Sequence, residues 1–249
     1  MATSAPPQPA FKGIVQSLGR VTLKQPITWG FVIYRCSYNN EDAWQTILQR
    51  IRDEMAECLE DQGQEDLLPR HEMIIMDDKA KYDGATSHDI RDHFTSWVFN
   101  ALPDIMVNTP TESQLQLTLV NDPHSMGLEH VFGTRYNFCL FVDDICLESV
   151  EHMDIPVVKL LAKHFGARDP EDRNYTIHPD FEDGETAMEE EDVGWMYLEV
   201  YTYAEMYNAL EEEEWWYELY RRPPLLPYDS PSDQNPGSWR KNSHQSPSS

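Results

Sequence analysis

The sequence predicts an α+β fold: a single domain with a mixed, largely antiparallel sheet and helices packed on one face, between disordered termini. Three observations predict it. Short runs rich in β-branched and aromatic residues recur along the chain, beginning with TWGFVIYRCSY at 28–38. An amphipathic pattern follows the first of them, with apolar residues at spacings of three and four. The element order, β-α-β-α-β-β-β-β-α, lacks the strict alternation of a purely parallel α/β sheet.

Residues 1–10 are mostly Pro, Ala and Ser, too poor in apolar side chains to order, and read as a mobile arm. TWGFVIYRCSY is apolar on both alternating sets, as in a strand covered on both faces. Asn40 offers a helix cap, Glu41 and Asp42 suit the positive end of the helix dipole, and Ala43, Trp44, Ile47, Leu48, Ile51, Met55, Cys58 and Leu59 form the apolar stripe before Gly63. HEMIIMDD (71–78) reads as a short strand entering an acidic turn. Ser87 caps a second helix with the face Ile90, Phe94, Trp97, Val98 and Ala101, closed by Pro103. QLQLTLV (114–120) alternates as a half-buried strand, and RYNFCLFVDD (135–144) is a strand ending in paired aspartates.

IPVVKLLAKHF (155–165) reads as a strand on its Pro and paired valines. Residues 166–192 read as a loop, with eight acids and no Lys or Arg between Asp180 and Asp192; self-repulsion makes 180–192 a mobile acidic segment. VGWMYLEVY (193–201) is a strand, and Thr202 with Glu205 has capping-box spacing for a last helix through Tyr220, its Glu211–Glu214 run forming a solvated face. The single domain thus spans 11–227, and 228–249 reads as a disordered tail.

Asp and Glu number 44 against 19 Lys and Arg, a net charge of −25. Such a chain is repelled by phosphate backbones and anionic bilayers, so nucleic acid and membrane are excluded as expected partners and a protein or cationic ligand is favoured. No apolar run approaches the roughly 20 residues that span a bilayer. The start MATSAPPQPA lacks signal- and transit-peptide features. Cys36, Cys58, Cys139 and Cys146 show no CxxC spacing, so the expected setting is reducing, intracellular and cytoplasmic.

TWGFVIYRCSY with its following helix, SHDIRDHFTSWV, RYNFCLFVDD and VGWMYLEVYTYAEMY together resemble a broad group of uncharacterised intracellular proteins of filamentous fungi, over most of residues 27–224. The resemblance implies one intracellular domain and brings no activity and no site residue with it.

Arg35 follows Trp29, Phe31 and Ile33 on one face of an apolar strand, so it must reach solvent, pair with a carboxylate or hold an anionic ligand. Asp77 and Asp143, ending neighbouring strands, are its expected partners, and His93 completes a candidate polar pocket. On the helix, His88 and Asp92 stand four apart and could supply two metal ligands, with others drawn from Asp77, Asp78, Asp143 or Asp144; a polar helix face explains the same residues, and no metal or cofactor is expected. Arg221, Pro224 and Pro227 have the spacing read by polyproline-binding grooves, but the same residues suit a helix end and a terminal clip. GxSxG and Gly-rich phosphate loops are absent from the sequence. Two readings stand: a non-enzymatic acidic protein that binds a protein or small ligand, and an enzyme or ligand-binding domain with a polar pocket near Arg35, Asp77, Asp143 and His93.

Overall fold

The computed structural model describes residues 11–108, 133–163, 193–212, 214–227 and 235–243. The expected arm 1–10, the expected strand 114–120 and the expected acidic loop 180–192 lie outside the described residues.

The first strand, β1 (Val32–Arg35), leads through a short loop into α2 (Glu41–Asp61); α1 (Lys12–Leu18) precedes them. A 3-10 turn (Glu65–Arg70), β2 (Ile74–Met76), α3 (Lys79–Tyr82) and α4 (Ser87–Ile105) come next. After one helical turn, α5 (Thr134–Asn137), the chain forms β3 (Phe138–Val142), α6 (Asp144–His152), β4 (Val157–Ala162) and β5 (Trp195–Glu199). A 3-10 turn joins β5 to α7 (Tyr203–Ala209), followed by α8 (Glu214–Leu219) and α9 (Pro236–Ser243).

The five strands form one sheet in the order β2-β1-β3-β4-β5. β1 is parallel to both β2 and β3, whereas β3–β4 and β4–β5 are antiparallel. The α+β class and the mixed sheet agree with the sequence reading, with parallel and antiparallel pairings in equal number.

The helices cover both faces rather than one. Phe31, Ile33, Leu140, Val142, Val158, Leu160, Met196 and Leu198 share a cluster with the stripes of α2 and α7. The alternate strand residues, including Val32, Tyr34, Cys139, Phe141, Trp195 and Tyr197, share a second cluster with Ile90, Phe94, Val98 and Leu102 of α4. The reason is handedness. The β1-to-β2 crossover carries α2 and the return from β2 to β3 carries α4, and right-handed crossovers in opposite directions place their helices on opposite faces.

Local chemistry sets the element ends. Asn40 accepts from the Ala43 N–H at the start of α2, as its sequence predicts. In α4 the cap is Thr86, in a reciprocal capping box with Asp89, and Pro103 sits inside the last turn, where its missing N–H removes only one backbone bond. At Thr202 the hydroxyl donates to the Glu199 carbonyl instead of capping, and a 3-10 turn intervenes.

The expected last helix is divided. Glu211, read as part of a solvated face, is buried between α7 and α8: its carboxylate meets Arg20 at 2.6 Å and accepts from the Thr134 N–H. Burial raises its pKa against the pull of Arg20. Trp216 stacks on Phe138 in the first cluster, the Tyr220 hydroxyl accepts from the Val193 N–H, and Leu226 and Trp239 pack on the second cluster. Within the expected tail, 228–249, the described residues Pro236–Ser243 form a helix, α9, with Trp239 packed on the second cluster.

Candidate functional site

Among the helices that start from the carboxyl edge of the sheet are α2, after β1, and α6, after β3. Because β2 lies on one side of β1 and β3 on the other, the strand order reverses here. This is the position at which open α/β sheets leave a crevice for ligands.

Arg35 ends β1 and is 7% exposed in its side chain. Its Nε donates to the Ser37 carbonyl at 3.1 Å, one terminal nitrogen reaches Glu41 at 2.5 Å and the other reaches Asp77 at 3.4 Å. The guanidinium lies over Tyr38 at 4.3 Å and Trp44 at 5.2 Å. Asp77 is thus a partner, as expected, and Glu41 is the closer one. The Gln45 amide and then Arg35 hold the Glu41 carboxyl below its ordinary range. The donor fork and the flat face of the Arg35 guanidinium are both engaged within the chain.

Asp143 does not join them. It caps α6 by accepting from the Cys146 N–H, and its other oxygen meets Lys159 at 2.6 Å. Lys159 is fully buried, with Trp195, Phe141 and Tyr197 centred 4.3, 5.3 and 5.8 Å from its ammonium. Burial opposes ionisation of Asp143, but Lys159 and the Cys146 N–H overcome it and hold the carboxyl below its usual value. The neighbouring Asp144 accepts from the Ser37 hydroxyl and from the Asn39 amide at 3.0 Å, tying the start of α6 to the loop after β1.

His93 belongs to a third network. Its Nδ1 meets the Tyr34 hydroxyl at 3.0 Å and its Nε2 the Tyr82 hydroxyl at 3.1 Å. Burial, with help from Lys81, lowers its pKa. The four residues of the expected polar pocket therefore sit in separate networks, with only Arg35 and Asp77 in contact. His88 lies 3.4 Å from Arg91, Asp92 is exposed, and no group of three or more His, Cys, Asp or Glu able to hold a metal is found among the described residues. Pro223 and Pro227 are buried and Pro224 lies against Gly237, so the proline edge a polyproline groove would read faces the protein's own chain; Arg221 is exposed.

A cleft of about 250 Å³ does open at the reversal point, between the loop after β1 and α6. Asn39, Asn40, Asp144, Leu147, Glu148 and Glu151 line it. Its three carboxylates are exposed, and Arg35 and Lys159 are held in the ion pairs just described. Both adjoining helices begin with acids: Glu41 and Asp42 on α2, Asp144 on α6. In such sites a phosphate ordinarily complements the helix dipole; here side-chain carboxylates already do. The arrangement repels anions and attracts a cation.

Sequence reasoning missed Glu148, Glu151 and Lys159. The two glutamates are ordinary in an acidic chain, and only the strand order makes them neighbours of Asn39 and Asn40. Lys159 carried the same signal as Arg35, one charge on the apolar face of a strand. No family model, curated protein or solved structure matches the chain, so the roles of these residues rest on geometry alone.

Proposed function

We propose that the protein acts by binding, without catalysis, and that the cleft beside α6 takes a positively charged side chain presented by a protein partner. The observation that carries this reading is the cleft's lining: three exposed carboxylates and two amides at the carboxyl edge where the strand order reverses. The net charge of −25 steers basic proteins toward the molecule and anionic ligands away. No helix among the described residues is long and apolar enough to cross a membrane. The described cysteines are free thiols, which supports a reducing, cytoplasmic setting as part of this reading. An enzyme built on Arg35, Asp77, Asp143 and His93 is not favoured, because these groups satisfy one another or their neighbours.

The test is titration with an arginine-rich peptide and with the same peptide carrying neutral citrulline in place of arginine. The arginine peptide binds, the citrulline peptide does not, and Glu148→Gln with Glu151→Gln weakens binding about tenfold, the loss expected from two exposed charge contacts of roughly 0.7 kcal/mol each. Equal binding of both peptides, or an unchanged affinity in the double variant, overturns the reading.

A further inference from the structure

The helix α9 docks on the same element that forms the acidic cleft. Trp239 stacks on His152, with ring centroids 4.6 Å apart and planes at 17°. His152 ends α6 and is exposed apart from this partner; Glu148 of the cleft lies four residues earlier, on the same side of the helix. Pro236 and Gly237 are buried, Gly237 against Pro224, which fixes where α9 begins. The sequence of α9, PGSWRKNS, carries Arg240 and Lys241 and no acid; that of α6, DICLESVEH, carries Asp144, Glu148 and Glu151 and no Lys or Arg.

We propose that α9 is the resident occupant of the α6 surface, an internal competitor that a partner displaces with its own tryptophan followed by basic residues. This rests on the reading of the cleft as a cation site. Two features make displacement feasible. The docking contact is small, the stack on exposed His152 together with the partly buried Trp239 on the edge of the second cluster, so it opens more readily than the core. Because α9 is joined to the domain by the chain itself, it competes at high effective concentration, and an outside segment binds only in proportion to the open fraction. The surface therefore selects for a tryptophan-led basic segment, and its His152 end stays occupied by Trp239 until a stronger one arrives.

The experiment uses full-length protein and a fluorescent peptide of residues 235–243. In Trp239→Ala the peptide binds about tenfold tighter than in the wild type, as expected if the helix is docked about nine-tenths of the time, and adding Glu148→Gln and Glu151→Gln removes the gain. His152→Ala provides a second variant, surface-located, in which the peptide loses its stacking partner and binds no better than to wild type. Equal affinity in wild type and Trp239→Ala overturns the proposal; if the arginine and citrulline peptides still differ, the cleft reading survives it. Peptide binding that ignores both glutamate changes also overturns it, and if those peptides no longer differ the cleft reading falls too. Should Trp239→Ala fail to fold, trypsin cleavage after Arg240 and Lys241 of the wild type decides: excess unlabelled peptide, relative to an equal excess of the same peptide with Trp239→Ala as the matched trypsin substrate, accelerates it if α9 is displaced, and equal rates with the two peptides overturn the proposal.

Discussion

A lysine ammonium enclosed by Phe141, Trp195 and Tyr197 depends on Asp143 more than Asp143 depends on it, since Asp143 keeps 22% side-chain exposure and a helix N–H while Lys159 keeps no contact with water. Asp143→Ala removes the carboxylate 2.6 Å from a buried ammonium and should cost about 3–5 kcal/mol. Lys159→Met should cost clearly less, and the double variant should recover part of the larger loss; urea unfolding of the three proteins reads the order. For Arg35→Ala we expect a lower midpoint, about 1–3 kcal/mol, from the lost ring stacking and the Ser37 carbonyl bond, with affinity for a cationic peptide little changed. His71 supplies a pH signature. It meets the Tyr203 hydroxyl at 3.1 Å and lies against Trp29, and burial followed by Arg135 depresses its pKa to about 4 from 6.5. The folded protein then binds fewer protons than the unfolded chain, so this contribution is present above pH 6.5 and is lost as pH falls toward 4. His71→Gln should flatten that part of the stability–pH curve. At this scale Arg35 was legible, because it interrupts an alternating apolar face. Lys159 was not, although IPVVKLLAKHF reads as a strand, because only the pairing of β4 between β3 and β5 shows that its lysine is enclosed.

The helical stripes were readable from spacing, but the side of the sheet each one takes was not, since that follows from strand order and crossover hand. Two substitutions test the two-sided arrangement. Ile51→Ala on α2 and Phe94→Ala on α4 each empty a fully buried position in a different cluster, and each should cost about 2–5 kcal/mol by chemical denaturation. A near-neutral Phe94→Ala would mean that α4 is not a packed layer. Between β1 and the strand beside it the backbone is equally constrained. Gly30 has φ +122°, and a Cβ there would stand 2.6 Å from the Glu72 carbonyl, whose oxygen also accepts from Arg135. Gly30→Ala should therefore destabilise by about 1–3 kcal/mol or more, although nothing in TWGFV marks the position. The acidic cleft belongs to this scale as well: Asn39 and Glu148 become neighbours only because β1 and β3 pair.

Across the whole molecule, charge and connectivity act together. The excess of acids predicts that affinity for an arginine-rich peptide falls steadily as salt is raised toward 1 M, where the screening length is about 3 Å, with the Glu148→Gln and Glu151→Gln variant showing a shallower decline. The sheet order also has a temporal consequence. Ser37 and Asp144, whose contact closes the carboxyl edge, are 107 residues apart, and the first strand of the chain lies beside a strand made long after it. A ribosome adding about 5–20 residues per second needs several seconds or more to cover that distance. Throughout that interval Phe31, Val32, Ile33 and Tyr34, all fully covered in the finished protein, have only the first half of their surroundings available. We expect the nascent chain to need holding chaperones until β3 has emerged, so that a chain ending before β3 aggregates where the full chain does not.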